Sequence, residues 1–378
     1  MTISFTKYYD EFLRYHEMAK IQQEECNIGS LPHVQSTVDD QLMRHVRIYD
    51  TVNRKYAGFT QLLLDIRYGN SVEHPYWGKM DGERRIIARN FDGWYVNRTL
   101  PEMLYVFMVH RLTGSGINYA ESNSGYCNTA LPEFYMAETI EQMVEVFISS
   151  TLKKYTSVGY QFPAFPKPIG KFTRGGDYFI AAYVPTLVRE LAEWLVVGGK
   201  KDLREVGNWM FDWNKRHGLR AYRFQYAAFI ADIADFFPQY VNTYSPFYYG
   251  SNAVECISYM ATPMKKMNEE LFLDAIMNRA ERDTGFAAYD LEDQMCDCIR
   301  WIENYVRPGG IYDSVDRDNV WSSSRIVDHP FGRQRNMLKL GLIESFNTIN
   351  RHPSGNYVIK QAGLTVDEYK SRVKGELA

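Results

Sequence analysis

Apolar side chains recur at three- and four-residue steps along most of this chain, and no run of alternating β-branched residues interrupts them. A period near 3.6 commits a segment to an amphipathic helix, because only that turn angle gathers those positions on one face. Tyr8, Phe12, Tyr15 and Met18 share such a face near the N-terminus. Leu42, Val46, Tyr49 and Val52 repeat the pattern in a second predicted helix, opened by Asp39 and ended near Gly58. Pro101 stands in the first turn of LPEMLYVFMVHRL, where its missing N–H costs nothing. The stretch YFIAAYVPTLVRELAEWLVVGG continues the pattern with a bend or break expected near Pro185. TIEQMVEVFISSTLKKY, KDLREVGNWMFDWNKRHG, RAYRFQYAAFIADIADFF, NAVECISYM, NEELFLDAIMNRAER and LEDQMCDCIRWIENYV add further helices. Glycine- and proline-rich stretches at 114–134 and 159–177 read as loops, and 68–94 as loops around a short helix containing Arg84 to Ala88. The expected fold is therefore all-α and multi-helical.

Composition narrows the function classes. The 378 residues carry a formal net charge of −3, which argues against a protein that coats nucleic acid but leaves room for a local basic cleft. No run of about 18 apolar residues occurs, so no membrane span is expected. The polar opening MTISFTKYYDEFLRYHEMAK lacks a signal-peptide core, so the expected location is the cytoplasm. Five scattered cysteines make no disulfide framework. Aromatics reach 15%, with 28 Tyr, which suits either a ring-rich core or surfaces that stack on bases. Phosphate-binding glycine loops, zinc spacings and iron–sulfur cysteine spacings are all missing.

Three features carry chemistry. In DLEDQMCDCIRWIENY, helical steps place Glu292, Met295, Cys296, Ile299 and Ile302 on one face, and Asp293, Asp297 and Arg300 on a neighbouring one. Asp293 and Asp297 form a like-charge i,i+4 pair, which is either a solvated acidic face relieved by Arg300 or a proton-transfer site. Asp232 and Asp235 lie in an otherwise apolar helix, where an acid must be paired, used or left at a wet helix end. The turn PFYYGSNAVEC, with Tyr249, Gly250 and Asn252, precedes a helix whose N-terminal amides would face an anion such as phosphate. Basic runs also recur, at Arg44, Arg47 and Arg54, at Lys215 to Arg223, and at Arg325, Arg333, Arg335 and Lys339. Trp321, Phe331, Tyr222 and Phe224 are interleaved with them, as in surfaces that hold phosphates and stack bases; a solvated surface is the default reading of any one run.

Several separated segments together resemble the alpha-glutamyl/putrescinyl thymine pyrophosphorylase family, known from phages with hypermodified thymine and related in fold to helix-hairpin-helix DNA glycosylases. The family's acidic helix, E-x-x-L-C-E-x-x-K-Y, is answered by Glu292, Met295, Cys296, Asp297, Arg300 and Trp301. Its F-x-A-Y-x-x-x-x-D-L is answered by Phe224, Tyr226, Ala227, Asp232 and Ile233, and its G-P-G-A turn in part by Gly250, Ser251, Asn252 and Ala253. YFIAAYV is similar to its F-T-x-A-Y segment, and MVHRLTG to its A-R-L-x-N, retaining Arg111. Order and approximate spacing agree from about Leu104 to Tyr305, and MRHVRIYD, with Arg47, is the nearest counterpart of an N-terminal arginine motif. The chain departs from the pattern at Asn252, at Gly114 and at Ile299, where the family has glycine, asparagine and commonly aspartate.

The resemblance implies a helix-hairpin-helix glycosylase-like core over 101–310, between an N-terminal helical region, 1–100, and a C-terminal basic extension, 311–378. It implies DNA as partner, in a host cytoplasm if the chain is phage-encoded. The reaction implied replaces the pyrophosphate of pyrophosphorylated 5-hydroxymethyluracil with an amine or amino acid. Glu292, Asp232 and Asp297 are the carboxylates expected to act in it, with Glu292 as general base. Arg111, Arg300, Arg47, Gly250, Asn252 and Tyr249 are expected to hold substrate or phosphate. No cofactor is required by any residue pattern, although Mg²⁺ would suit a site joining carboxylate and pyrophosphate. A glycosylase that excises a modified pyrimidine, and a DNA-binding protein without catalysis, are the alternatives.

Overall fold

The computed structural model describes residues 3–27, 36–46, 48, 63–64, 68, 98–113, 134, 137–149, 165–221, 224, 226–263, 266–327, 329–342, 359 and 363–376. Those residues are mostly helical, as the periodicity predicts. The chain forms two compact units whose boundaries cut across the chain-order division at 100 and 310. One comprises Met1–Arg54, Tyr249–Phe286 and Asp290–Ala378; the other comprises Lys55–Tyr248 and Ala287–Tyr289. We call them the first and second unit and describe each by itself.

The first unit opens with strand β1 (Ile3–Phe5) and helix α1 (Lys7–Asn27). Phe12, Tyr15 and Met18 are buried as their spacing requires. The same unit holds α8 (Ser251–Met260), β4 (Ala261–Pro263), α9 (Glu269–Thr284) and most of α10 (Ala288–Trp301). Strands β1 and β4 pair antiparallel, with Ser4 opposite Thr262. At only three residues each, they are too short to show as alternation in the sequence. Helix α9 begins where the Asn268 side chain accepts the amides of Glu270 and Leu271, and ends at Gly285 with φ +79°.

The helix predicted from Asp39 does not form across 40–46, which is a series of turns instead. The Asp40 carboxylate accepts the amides of Leu42 and Met43 as at a helix start, but the Gln22 amide, from α1, donates to the carbonyls of Met43 and Val46. Those carbonyls are the ones a continuing helix would need. The remainder of that predicted helix, the loop at 114–134 apart from Phe134, and Arg47 lie outside the described residues.

The second unit packs α2 (Leu100–Thr113), α3 (Ile140–Ser149), α4 (Gly175–Tyr178), α5 (Val184–Val196), α6 (Leu203–Arg216) and α7 (Ala227–Phe236). A π-helical turn, Phe179–Tyr183, joins α4 to α5 just before Pro185. Pro185 has no N–H to offer the carbonyl of Ala181, so the helix there accommodates an irregular turn, as the sequence suggests. Leu104, Phe107, Leu187, Leu191, Val206, Met210, Ile230 and Ile233 fill the core between α2, α5, α6 and α7. Two-residue strands β2 (Lys201–Asp202) and β3 (Val241–Asn242) pair in parallel at one end of α6.

Gly207 of α6 is a point of close packing in this unit. A Cβ at that position would sit 2.4 Å from Cε2 of Tyr248, whose hydroxyl donates to Asn208 on the same helix. Alanine would gain about 1 kcal/mol of helix propensity but must displace the ring, and overpacking costs about 1–3 kcal/mol. Gly207→Ala is therefore expected to lower stability by about 1–2 kcal/mol. A fall in the urea midpoint at unchanged slope would register it; an unchanged or higher midpoint would contradict the packing.

Candidate functional site

The acids of α7 come first, because burial forces their roles. Helix α7 is buried along almost its whole length, and the Asp232 side chain is 0% exposed. An ionised carboxylate survives there only with a partner. That partner is Arg111 in the last turn of α2, 121 residues earlier. Its Nε donates to Asp232 Oδ2 at 2.6 Å, while Nη2 donates to Oδ1, so the contact is two-pronged. Asp235, one turn on and less buried, accepts a 2.9 Å hydrogen bond from the Tyr289 hydroxyl. Asp232 and Arg111 were expected to serve substrate separately. The structure brings them together as one buried pair in the second unit.

The acidic helix α10 and the turn before α8 meet within the first unit. Glu292, only 2% exposed, accepts the Gly250 N–H through Oε1 at 3.1 Å. Gly250 is the N-cap of α8, so the anion at this helix terminus is one of the protein's own carboxylates. One turn further along α10, Cys296 Sγ accepts the Asn252 side-chain amide at 3.2 Å. The Tyr249 hydroxyl donates to Asp274 Oδ1 on α9 at 3.0 Å. The neighbouring face of α10 carries Asp297 and Arg300, paired at 2.6 Å and both partly exposed. The sequence places these acids on faces correctly; the partners Asp274, Tyr289 and Gln294 it leaves unnoticed. Gln294 meets the buried His16 of α1, its Oε1 lying 2.8 Å from Nδ1. No spacing rule could have linked residues 278 positions apart.

Electrostatics set the state of Cys296. Burial, and next the Glu292 charge, push its thiol up to about 12 against the opposing Asn252 hydrogen bond. The sulfur is thus a protonated thiol at neutral pH rather than a nucleophile. Cys298, on the buried face of the same helix, is raised further by burial and by its contact with Cys256. Among the described residues no three His, Cys, Asp or Glu side chains are grouped to hold a metal ion, and no helix is long and apolar enough to cross a membrane.

No protein-family model, curated protein or solved structure matches this chain.

Two outcomes follow from this geometry. Breaking the Arg111–Asp232 pair from one side leaves a buried charge, which costs about 3–5 kcal/mol. Asp232→Asn should fall near that range in denaturant unfolding, while the apolar double variant Arg111→Met with Asp232→Leu should recover much of the loss; no recovery would mean the pair is worth more than its shape. For Cys296, alkylation by iodoacetamide should keep rising with pH through 9 and 10 without a plateau. Glu292→Gln removes the neighbouring charge, so the profile should shift to lower pH; peptide mass spectrometry at Cys296 reads both, and an unmoved profile would contradict the electrostatic link.

Proposed function

We propose that the chain acts on a pyrimidine in DNA, replacing the pyrophosphate of pyrophosphorylated 5-hydroxymethyluracil with an amine or amino acid. The observation that supports this reading is the pairwise meeting of the segments singled out by the family resemblance. Arg111 of MVHRLTG meets Asp232 of the α7 motif, and the Gly250–Asn252 turn meets Glu292 and Cys296 of the acidic helix.

In the proposed reaction the target base leaves the stack to reach the enzyme. The amine nitrogen attacks the exocyclic methylene carbon, the C–O bond to pyrophosphate breaks, and pyrophosphate leaves with the electron pair. Glu292 takes the proton from the attacking nitrogen; its anchoring by the Gly250 N–H fixes the direction of the carboxylate. Arg300, partly exposed, turns from Asp297 to the leaving pyrophosphate, the anion of higher charge. Arg111 and Asp232, occupied with one another, act by positioning α2 against α7 rather than by contacting substrate.

The test is mass spectrometry of nucleosides from DNA bearing pyrophosphorylated 5-hydroxymethyluracil, incubated with the protein and a mixture of amino acids and polyamines. A nucleoside heavier by an amine adduct, with its rate reduced about 10²–10⁴-fold in Glu292→Gln, is the expected result. Free base with an abasic site would replace the transferase by a glycosylase. DNA left unchanged would overturn the proposal.

A further inference from the structure

Two basic runs far apart in the sequence meet in the first unit, outside the residues used above. Arg44 and His45 come from the turns at 40–46, and Arg335 from the helix Pro330–Lys339. His45 and Arg335 both meet Trp321, and Arg44 is the chain neighbour of His45. The Arg335 guanidinium carbon lies 4.3 Å from the Trp321 ring centroid, and the His45 ring meets the same indole edge-on at 5.7 Å. The assembly is held in place by the backbone: Trp321 Nε1 donates to the Gln41 carbonyl at 3.2 Å, and Arg44 Nε donates to the Val38 carbonyl at 2.7 Å.

Arg14, Arg111, Arg189, Arg279, Arg300, Arg307 and Arg317 each have a carboxylate partner. Among the described residues Arg44 and Arg335 have none at ion-pair distance, as is also true of Arg216, Arg282, Arg333 and Arg372. Both are only partly exposed, and both stand close enough to His45 to disfavour its protonation, which burial already opposes; together these push the imidazole down to about 4. Both cations act on His45, and they are held by a backbone carbonyl for Arg44 and an indole face for Arg335, with no carboxylate at ion-pair distance; an anion would complete their charge.

We infer that Arg44, His45, Arg335 and Trp321 form a seat for phosphate groups of a nucleic-acid strand. Guanidinium is the side chain that matches phosphate oxygens with paired N–H donors, and stacking on the indole leaves that N–H edge in the plane of the group. The apolar indole beside the cations suits a nucleotide, which presents a ring next to its phosphate, better than inorganic phosphate. The seat deepens the DNA reading above by naming where the strand is held. Its failure is distinguishable from the failure of that reading, because binding is measured without turnover.

The test uses the full chain and a fluorescein-labelled single-stranded 12-nucleotide DNA, with anisotropy titrations across a range of salt concentrations. Each neutralised phosphate contributes about −0.7 to the slope of log K against log salt for single strands. The double variant Arg44→Gln with Arg335→Gln should make that slope less negative by about 1.4, whereas Arg44→Lys with Arg335→Lys should keep it. Thermal melts verify that both variants fold. In parallel, the ¹³C-labelled His45 ring should titrate at higher pH when the strand is bound, because a phosphate favours the imidazolium. Inorganic pyrophosphate is the competing probe. If it alone raises the His45 titration and the strand does not, the seat belongs to free phosphate and the strand assignment is overturned. An unchanged slope in a folded glutamine variant, or no strand binding at low salt, overturns the inference altogether.

Discussion

A charge cannot be left alone in the interior of a helical bundle, and the second unit is organised around the one that lies deepest. Asp232 sits in a helix whose other residues are nearly all apolar and buried. Desolvating its carboxylate costs several kcal/mol unless another group replaces the lost water. The two-pronged contact from Arg111 does so, and in doing so ties the last turn of α2 to the middle of α7. Leu104, Phe107 and Leu112 on α2, and Ile230 and Ile233 on α7, then close the apolar packing around the pair. The hydrophobic contacts tolerate exchanges of similar volume. The ion pair has two directed bonds and tolerates far less, so it fixes the register between the helices.

The first unit meets the same constraint by another route. Glu292 is buried almost as deeply, and a backbone amide at the start of a helix is among its partners. The partial positive charge of a helix N-terminus compensates a carboxylate while leaving it an acceptor. The guanidinium engages both oxygens of Asp232, whereas the Gly250 N–H makes one directed contact to a single oxygen of Glu292. The adjacent Cys296 records the negative charge there, since that charge adds to burial in holding the sulfur protonated. The proposed reaction accordingly gives proton transfer to Glu292 and a positioning role to Asp232.

Most of the helices were legible in the sequence because each is long enough for its apolar period to repeat. The faces of α10 were legible for the same reason: Glu292, Met295 and Ile299 point inward, Asp293 and Asp297 less so. Failures occurred where a side chain far away in sequence satisfies the backbone. Gln22 captures carbonyls of 43 and 46, which turns a segment with good helical spacing into turns. No local pattern registers that competition. The strand pairs were illegible because two or three residues contain too little alternation to count. For the candidate site, the sequence indicated which residues had to find partners but not which partners they would find. Asp232 in an apolar helix announces a need for a cation; only the packing of α2 shows that the cation is Arg111.

The basic clusters carry the same lesson in reverse. Along the chain, Arg44 and Arg335 belong to separate runs, and each run taken singly reads as solvated surface. A pair of like charges becomes informative only when the fold holds them together against their repulsion. Here the holding is done by groups unrelated to charge: a backbone carbonyl for Arg44 and an indole face for Arg335. Seven of the described arginines are matched with carboxylates across short and long separations, whereas Arg44 and Arg335 are held beside one histidine without one. Charge placed in this way costs free energy in the isolated molecule and returns it in a complex with an anion, and on that difference the proposed phosphate seat rests.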